Sequence, residues 1–468
     1  MGGLFGISSA SDCVSELYYG TDYHSHLGTR RGGMAVSGGK GIQRAIHNIE
    51  NSYFRTKFES ELDRFEGTRG IGIISDTDPQ PLVLGSHLGT FALACVGKIN
   101  NQEDLIRGAF AKRGYFADTT GGAVKPTELA ARLICEEGSF EEGIANAQAG
   151  IRGSCTLLLL THRGIYAARD RLGRTPLIIG RRNDAMAVSS ETSAFPNLGF
   201  EVDHFLGPGE IVRITPDGWE QLASPGKQMQ ICAFLWIYYG YPASEYEGIN
   251  VEWVRNRCGE ALARNDDAVV DFVSGIPDSG IGHALGYANE KQVPYRRAFV
   301  KYTPTWPRSF MPQNQKMRDL VARMKLIPVR RLIGGQRILF CEDSIVRGTQ
   351  LKENVQILFD YGAREVHMRP ACPTLIYPCE FLNFSTSRST LDLASRKVIR
   401  KLEGDENHDL AAYVAHGSKK NLAMVEEIRR MLRLTTLQYQ RLDDMVAAIG
   451  LPRDRVCTHC WDGSSYGY

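Results

Sequence analysis

The chain has 468 residues, enough for two or three domains that each bury a core of their own. Its net charge of +2 and its pI near 8.0 give no reason to expect nucleic acid or an anionic membrane as a partner. No apolar run reaches the ~18 residues of a membrane span, and the N-terminal residues lack the basic and apolar regions of a secretory signal, so we expect a cytoplasmic protein.

Residues 1 to about 230 are predicted to be rich in strands. Short apolar or alternating runs recur between Gly and Pro residues. These runs are Gly70–Ile74, Ala92–Val96, Thr156–Leu160, Leu177–Ile179, Met186–Ser189 and Ile211–Ile214. A helix is predicted over Leu129–Cys135, with Thr127 and Glu128 near its start. The polar stretch Arg44–Arg64 indicates a helix or an insertion rather than a linker.

From Val269 onwards, strands alternate with helices, a pattern typical of a parallel sheet. The predicted elements are strands at Val269–Val273, Ala298–Val300 and Ile338–Phe340, and helices at Gly282–Asn289 and after Thr349. Beyond Val366 the sequence favours helices, and apolar residues recur with a spacing near 3.6 in Met424–Leu434 and Leu437–Ile449. The sequence therefore predicts two domains, residues 1–230 and residues 231–468.

The stretch Arg337–Thr349 joins a short buried strand to a helix. Glu342 and Asp343 stand at the carboxyl end of that strand, where open α/β sheets bind their ligands. The loop that follows opens a helix, so its N–H groups and the helix dipole suit a phosphate. The carboxylates would repel a phosphate but suit vicinal sugar hydroxyls or a divalent cation. Together these features predict a ribose 5-phosphate that carries a pyrophosphate, with Mg²⁺; solvated acids on an ordinary loop are the alternative.

This stretch resembles the binding motif of type I phosphoribosyltransferases. Its loop is similar to that of the glutamine phosphoribosylpyrophosphate amidotransferases, which open purine synthesis and usually have two aspartates where this chain has Glu342 and Asp343. The resemblance implies a two-domain α/β fold: an N-terminal-nucleophile αββα sandwich, then a type I phosphoribosyltransferase parallel α/β sheet with C-terminal helices. It implies contacts with 5-phosphoribosyl 1-pyrophosphate (PRPP) from Glu342, Asp343, Ser344, Ile345, Val346, Arg347, Gly348 and Thr349.

The run Gly275–Gly280 (Gly-Ile-Pro-Asp-Ser-Gly) is similar to the pyrophosphate loop of the same family. The resemblance implies PRPP contacts from Asp278, Ser279 and Gly280. It also implies a Mg²⁺ site formed by Ser279, Glu342 and Asp343. A Pro-Gly turn after a strand, without any ligand, is the alternative.

The run Lys301–Pro312 is broken by prolines and resembles the flexible loop of the family. Such a loop can close on the substrate and exclude water. The resemblance implies that closure brings Lys301 and Arg308 to the pyrophosphate, as the catalytic cations. An ordinary surface loop is the alternative.

The N-terminal half carries a second group of motifs. The run Gly164–Leu177, followed by Ser190-Glu191 and Gly207–Glu210, resembles the glutaminase domain of these amidotransferases. Such glutaminases begin with Cys-Gly-Ile, and the cysteine acts as the nucleophile with its own free amine as the base. The matching residues here are Gly2-Gly3-Leu4, and Gly2 has no side chain that could attack an amide.

Two further requirements of the glutaminase are also missing. Ser75 stands where the family has an arginine for the glutamine carboxylate, and Val96-Gly97 stands where it has Asn-Gly for the oxyanion hole. Losing one oxyanion donor alone costs ~10²–10³ in rate. Rescue by Cys13 would need a Gly-Ile that does not follow it. We therefore expect a retained fold without glutaminase activity, supplied with ammonia from solution or from a separate glutaminase subunit.

The chain has 11 cysteines, an odd number with irregular spacing, which argues against a disulfide framework. Cys457-Thr-His-Cys460 taken alone fits half a zinc site, a redox pair or neither. One branch of the amidotransferase family holds a [4Fe–4S] cluster, and the resemblance implies Cys232, Cys379, Cys457 and Cys460 as its ligands. Tetrahedral zinc would use the same four thiolates, and free thiols are the third alternative.

The resemblance extends over essentially the whole chain. It implies an amidophosphoribosyltransferase-like enzyme that forms 5-phosphoribosylamine from PRPP and ammonia, the first step of de novo purine biosynthesis. It also implies a homo-oligomer, a dimer or a tetramer. The alternatives are a non-catalytic subunit that binds phosphoribosyl ligands and regulates a partner, and a phosphoribosyltransferase that uses another amine.

Overall fold

The computed structural model describes residues 2–117, 119, 121–302, 326–382 and 389–464. The first half of the chain forms two stacked antiparallel sheets with helices on both outer faces. Its described strands, β1 to β13, are Gly2–Ser9, Arg31–Gly38, Gly41–Asn48, Arg69–Ser75, Leu82–Ser86, Gly89–Ile99, Gly153–Thr161, Gly164–Ala168, Ile178–Arg182, Ala185–Ser189, Glu201–Phe205, Ile211–Thr215 and Gly218–Ala223. The helices α1 to α6 are Val14–Asp22, Phe54–Phe58, Gln102–Ala111, Pro126–Ile134, Phe140–Gly150 and Phe195–Leu198.

The two sheets have the strand orders β11-β9-β10-β1-β4-β2-β3 and β13-β12-β8-β7-β6-β5. Alternate residues of each strand point to opposite faces, so each sheet can bury both of its faces. Leu4 and Ile73 of the first sheet pack against Ala94 of the second. On the outer faces, Phe5 packs with α1 and α2, and Leu93 packs with α4 and α5. This alternation produces the αββα layers that the family resemblance implies.

The second half is built around a parallel sheet. Its described strands, β14 to β23, are Ile231–Cys232, Glu245–Tyr246, Ile249–Asn250, Phe272–Gly275, Phe299–Lys301, Leu326–Pro328, Arg337–Glu342, Glu365–Pro370, Thr436–Leu437 and Val456–Cys457. Its helices are α7 (Val251–Arg264), α8 (Gly280–Lys291) and, further on, Arg330–Ile333, Thr349–Asp360, Ala394–Glu403, Leu410–Val414, Lys419–Leu432, Leu442–Ile449 and His459–Asp462. The parallel sheet has the order β17-β20-β21-β22, and β18 pairs with β19 outside it. None of the described helices is both long enough and apolar enough to cross a bilayer.

Four predicted elements need correction. β17 begins at Phe272 rather than Val269, whose side chain is 69% exposed. The stretch Arg44–Arg64, predicted as a helix or an insertion, begins as part of β3 and is helical only from Phe54 onwards. Glu365–Pro370 is a strand, although helices were predicted beyond Val366, and Leu437 belongs to β22 rather than to the following helix. Both strands pair in the parallel sheet, and buried parallel strands show no alternation that would distinguish them from a buried helix.

A buried carboxylate joins the two halves. Glu191, which follows β10, accepts hydrogen bonds from the Tyr246 hydroxyl at 2.5 Å and the Ser244 hydroxyl at 3.2 Å. His26 Nε2 lies 3.0 Å from Glu191 Oε2. Burial alone would raise the pKa of Glu191, but His26 and the hydrogen bonds outweigh it and hold the pKa at about 2. The carboxylate therefore stays ionised and ties β15 to the sandwich.

The burial of His24 leads us to expect a lower free energy of unfolding in acid. Its ring is fully buried, with Nδ1 2.8 Å from the Gly20 carbonyl, and burial lowers its pKa to about 4. Below pH 6.5, the usual histidine value, His24 binds a proton in the unfolded state but stays neutral in the folded state. The contribution of neutral His24 to stability is therefore complete above pH 6.5 and is lost as the pH falls to about 4. We expect a loss of about 1.4 kcal/mol per pH unit over this window.

Urea denaturation between pH 7 and pH 4 measures this effect. His24→Gln should flatten the pH dependence of the unfolding free energy by one proton. The control is His408→Gln, because the His408 side chain is 54% exposed. An equal slope in the wild type and in His24→Gln would contradict the assignment.

Candidate functional site

Two neighbouring parallel strands end at one edge of the second sheet. β17 and β20 pair in register from Phe272–Ile338 to Gly275–Cys341, so the loops that follow them lie side by side. The approach is close, because a Cβ at Gly280 would lie 2.4 Å from the Cys341 carbonyl oxygen. Gly348 has a φ of +74° where the second loop enters its helix. Each loop thus leads into a helix N-terminus at the ligand-binding edge of an α/β sheet.

Asp343 links the two loops. Its Oδ1 accepts a hydrogen bond from the Ser279 hydroxyl and its Oδ2 one from the Ser344 hydroxyl, each at 2.6 Å. Asp343 is buried. The side chain of Glu342 is half-buried, and its burial together with the neighbouring Asp343 carboxylate raises the pKa of Glu342 well above its usual value. The structure thus brings together the three residues that the sequence proposes for Mg²⁺. A hydroxyl and two carboxylates are hard oxygen donors, and Mg²⁺ sites of this kind are completed by substrate phosphates.

The remaining residues of the predicted PRPP site surround this pair of loops. Lys301, at the end of β18, forms an ion pair with Asp278 of the first loop. Arg347 Nη2 lies 3.3 Å from Asp392 Oδ2, so its charge is partly engaged. Ile345 is buried in the apolar core beneath the helix Thr349–Asp360, as Val346 partly is in a neighbouring cluster, so these two can offer a ligand mainly their backbone. Arg308 lies outside the described residues.

The four positions at which the sequence predicts a degenerate glutaminase site lie close together in space. Gly2 pairs with Ser75 across β1 and β4. A Cβ added at Gly2 would lie 2.5 Å from the Ile74 carbonyl oxygen and 3.0 Å from Val96 Cγ1. Gly97, with a φ of +133°, places its own hypothetical Cβ 2.1 Å from the Ser154 carbonyl oxygen. The place of a nucleophilic side chain is therefore occupied by other atoms of the chain.

A buried polar network lies beside Gly2, and the sequence analysis did not find it. The Ser75 and Thr77 hydroxyls lie 2.8 Å apart. Gln80 Oε1 accepts from the Cys95 N–H at 2.6 Å, and Gln80 Nε2 donates to Asp78 Oδ1 at 3.3 Å. These polar groups therefore satisfy one another by hydrogen bonds.

Cys13, which the sequence analysis considered as a replacement nucleophile, lies in the core. It is fully buried with the outer-face core of α1 and the first sheet. Burial and the neighbouring Asp12 raise the pKa of its thiol to about 12. A thiol attacks only as its thiolate, so the burial and the raised pKa of Cys13 both disfavour it as a nucleophile.

The four cysteines that the sequence analysis singled out line one cavity. β14 and β23 pair in parallel, which places Cys232 opposite Cys457. Cys379 and Cys460 line the same cavity with them, together with Arg174, Phe234, Phe381, Leu382, His459 and Trp461. Burial raises the pKa of the Cys232 thiol well above its usual value, and Cys457 and Cys379 add to this increase. The sequence therefore identified the members of this cluster, but not Arg174.

The cysteine cavity has donors that suit a metal centre. Four thiols that form no disulfide line one cavity, and they are the donors of an iron–sulfur cluster or of zinc. Within the described ranges, no group of three or more His, Cys, Asp and Glu side chains is arranged to hold one metal ion. The chemistry of the four donors therefore fits either group.

An amidotransferase-type sandwich joined to a phosphoribosyltransferase-type sheet defines a two-domain class of transferase. Comparisons with known proteins agree with this class. The model of the glutamine amidotransferase domain family matches residues 68–197. The amidophosphoribosyltransferase of Methanocaldococcus jannaschii is 30% identical over 99% of this chain and 97% of its own length. That of Bacillus subtilis is 29% identical over 98% of this chain and 93% of its own.

The solved structures lead to the same family. The glutamine PRPP amidotransferase from B. subtilis complexed with ADP and GMP superposes with a TM-score of 0.85, at 28% identity, over 99% of this chain and 96% of that one. A structure of the allosteric regulatory enzyme of purine biosynthesis gives a TM-score of 0.84, also at 28% identity, over 99% of this chain and 95% of that one. The chain belongs to the amidophosphoribosyltransferase family. The predicted family, fold class and enzyme class, a phosphoribosyltransferase, are thereby confirmed.

Proposed function

We propose that the chain forms 5-phosphoribosylamine from PRPP and ammonia and does not hydrolyse glutamine itself. The observation that carries the proposal is the contrast between its two sites. The loops after β17 and β20 bring Ser279, Glu342 and Asp343 to one ligand-binding edge. At the glutaminase position, by contrast, Gly2 has no room for a Cβ. The proposal places the enzyme at the first step of purine biosynthesis, in the cytoplasm, as a homo-oligomer.

The reaction needs positioning and charge compensation rather than a covalent intermediate. The buried carboxylate of Asp343, held by the Ser279 and Ser344 hydroxyls, suits the ribose hydroxyls, and the two helix N-termini suit the phosphates. Lys301 stands beside the first loop, where the pyrophosphate leaves. Ser279, Glu342 and Asp343 are the residues that would hold Mg²⁺. When bound, Mg²⁺ would supply compensation for the charge on the departing pyrophosphate.

We also propose a [4Fe–4S] cluster at Cys232, Cys379, Cys457 and Cys460, with zinc as the alternative. The four thiols come from three segments that are distant in sequence and meet at one cavity, which supports a shared ligand. When bound, the cluster would supply a crosslink between the segment after the sandwich and the C-terminal residues.

An assay of the two nitrogen donors tests the proposed reaction. Purified protein with PRPP and Mg²⁺ should release pyrophosphate when ammonium is added and should not do so when glutamine is added. Gly2→Cys should not create glutaminase activity, because the new Cβ would lie 2.5 Å from the Ile74 carbonyl oxygen. Gly39→Cys, on an exposed turn with nothing within 4 Å of a new Cβ, controls for an added thiol.

Three results would decide against the proposal. Stoichiometric glutamate release by homogeneous wild-type protein would overturn the loss of glutaminase activity. Binding of PRPP without any pyrophosphate release would instead favour a regulatory subunit. Turnover with a different amine, but not with ammonia, would favour another phosphoribosyltransferase reaction.

A further inference from the structure

Arg174 lies in the segment between β8 and β9, yet it reaches the cysteine cavity. Its side chain is fully buried and lines that cavity. Nη1 donates to Cys457 Sγ at 3.3 Å, and the guanidinium carbon lies 3.4 Å from the centroid of the Phe381 ring. Its backbone carbonyl accepts from the Cys232 N–H at 3.2 Å. The residue is therefore fixed against β14, and its charge lies among the thiols.

The guanidinium of Arg174 is not satisfied by its protein neighbours. Nε and Nη2 are both buried, and neither has a hydrogen-bond partner among the described residues. The residues found to line the cavity include no carboxylate. Removing a cation from water is unfavourable unless the cation is paired, and a single thiol and a ring face are weak substitutes for water. An anionic group in the cavity would provide the missing partner.

We propose that Arg174 is the counter-charge of the metal–thiolate centre and that it tunes the reduction potential of that centre. This inference rests on the proposed cluster. Four thiolates carry more negative charge than an iron–sulfide core or a zinc ion neutralises, so the bound group is an anion. A buried cation in contact with one thiolate stabilises the more negative, reduced state most strongly. It therefore raises the reduction potential and slows loss of the metal.

The same contact suggests why a sandwich without glutaminase chemistry is retained. The only charged side chain among the residues found to line the cavity, apart from a histidine, belongs to the N-terminal half, and the thiols belong to segments after residue 230. Loss of the sandwich would leave the centre without Arg174. The sandwich thus serves the phosphoribosyl half through charge as well as through packing.

Arg174→Met removes the charge but keeps much of the apolar volume. We expect the variant, purified without oxygen, to show a lower midpoint potential than the wild type and faster release of metal to a chelator. Arg455→Met is the matched control, because Arg455 is exposed although it lies two positions from Cys457. The control should match the wild type in both measurements. If the methionine variant does not fold, Arg174→Gln, which keeps two N–H donors without the charge, is measured by the same criteria.

The possible outcomes distinguish a failure of the role of Arg174 from a failure of the proposed metal centre. A wild-type protein that contains neither iron nor zinc would overturn the metal centre itself. A metal-loaded Arg174→Met or Arg174→Gln variant with unchanged potential and unchanged release rate would overturn only the role of Arg174. If the metal is zinc, the release rate alone decides, and it should rise in both variants.

Discussion

Asp343→Asn is expected to weaken Mg²⁺-dependent PRPP binding by about 10- to 150-fold and to abolish turnover with ammonia. The range corresponds to the ~1.5–3 kcal/mol of one hydrogen bond to a charged group. Asp343 accepts one hydroxyl on each of its oxygens, from Ser279 and Ser344. An amide can accept on only one side, and it has no charge to offer a cation. Titration calorimetry with PRPP and Mg²⁺, together with a pyrophosphate-release assay, measures both effects.

The opposite edge of the same sheet offers a matched control. Asp271 precedes β17 and forms an ion pair with Arg337 at 2.8 Å, at the amino ends of β17 and β20. Asp271→Asn removes an equal charge from the same pair of strands, so any general effect on the fold appears there as well. PRPP affinity should be unchanged in this variant. Equal affinities for Asp343→Asn and the wild type would show that the site has been misassigned.

The phosphoribosyl site was largely predictable because its information is local. A strand, a loop and a helix that follow one another in sequence carry Glu342 and Asp343 to a defined edge. The second loop obeys the same rule, although β17 begins three residues later than predicted. The pairing of β17 with β20 then brings Ser279 to Asp343, and parallel α/β topology makes such neighbours expected. The roles of these residues toward PRPP and Mg²⁺ remain predictions.

The glutaminase position was predictable in one respect only. The sequence shows that Gly2 lacks a nucleophile, but not that the space for one is filled. That fact depends on Ile74 and Val96, which reach Gly2 through strand pairing and sheet stacking. The same limitation hid the network around Gln80. Contacts between segments that are distant in sequence cannot be derived from local patterns.

The cysteine cavity was predictable in part from local motifs and in part only from contacts between distant segments. Cys457 and Cys460 were recognisable as a pair by their spacing, and family motifs pointed to Cys232 and Cys379. Arg174 stands in a run that the sequence analysis used only to identify the sandwich. Its buried charge became visible as a feature of the metal centre only after β14 had been placed beside it.

Replacing any one of the four cavity cysteines should remove the bound metal and destabilise the fold. Anaerobically purified wild-type protein should be brown, with about four irons and four labile sulfides per chain. Cys232→Ser and Cys460→Ser should lose the colour to a similar extent, since four ligands hold one group. The midpoint of thermal unfolding should fall in both, because the pairing of β14 with β23 is only two residues long and would lose the support of the metal crosslink.

Cys135→Ser is the control for these variants, because Cys135 is half-buried in the sandwich and does not line the cavity. It should retain the colour, the iron content and the unfolding midpoint of the wild type. Zinc in place of the cluster would give a colourless protein with one metal per chain, and both cavity variants should lose that metal equally. A wild-type protein that folds normally without colour and without metal after anaerobic purification would contradict the proposal. The four thiols would then be only the buried contacts of a packed junction, and the charge of Arg174 would need another partner.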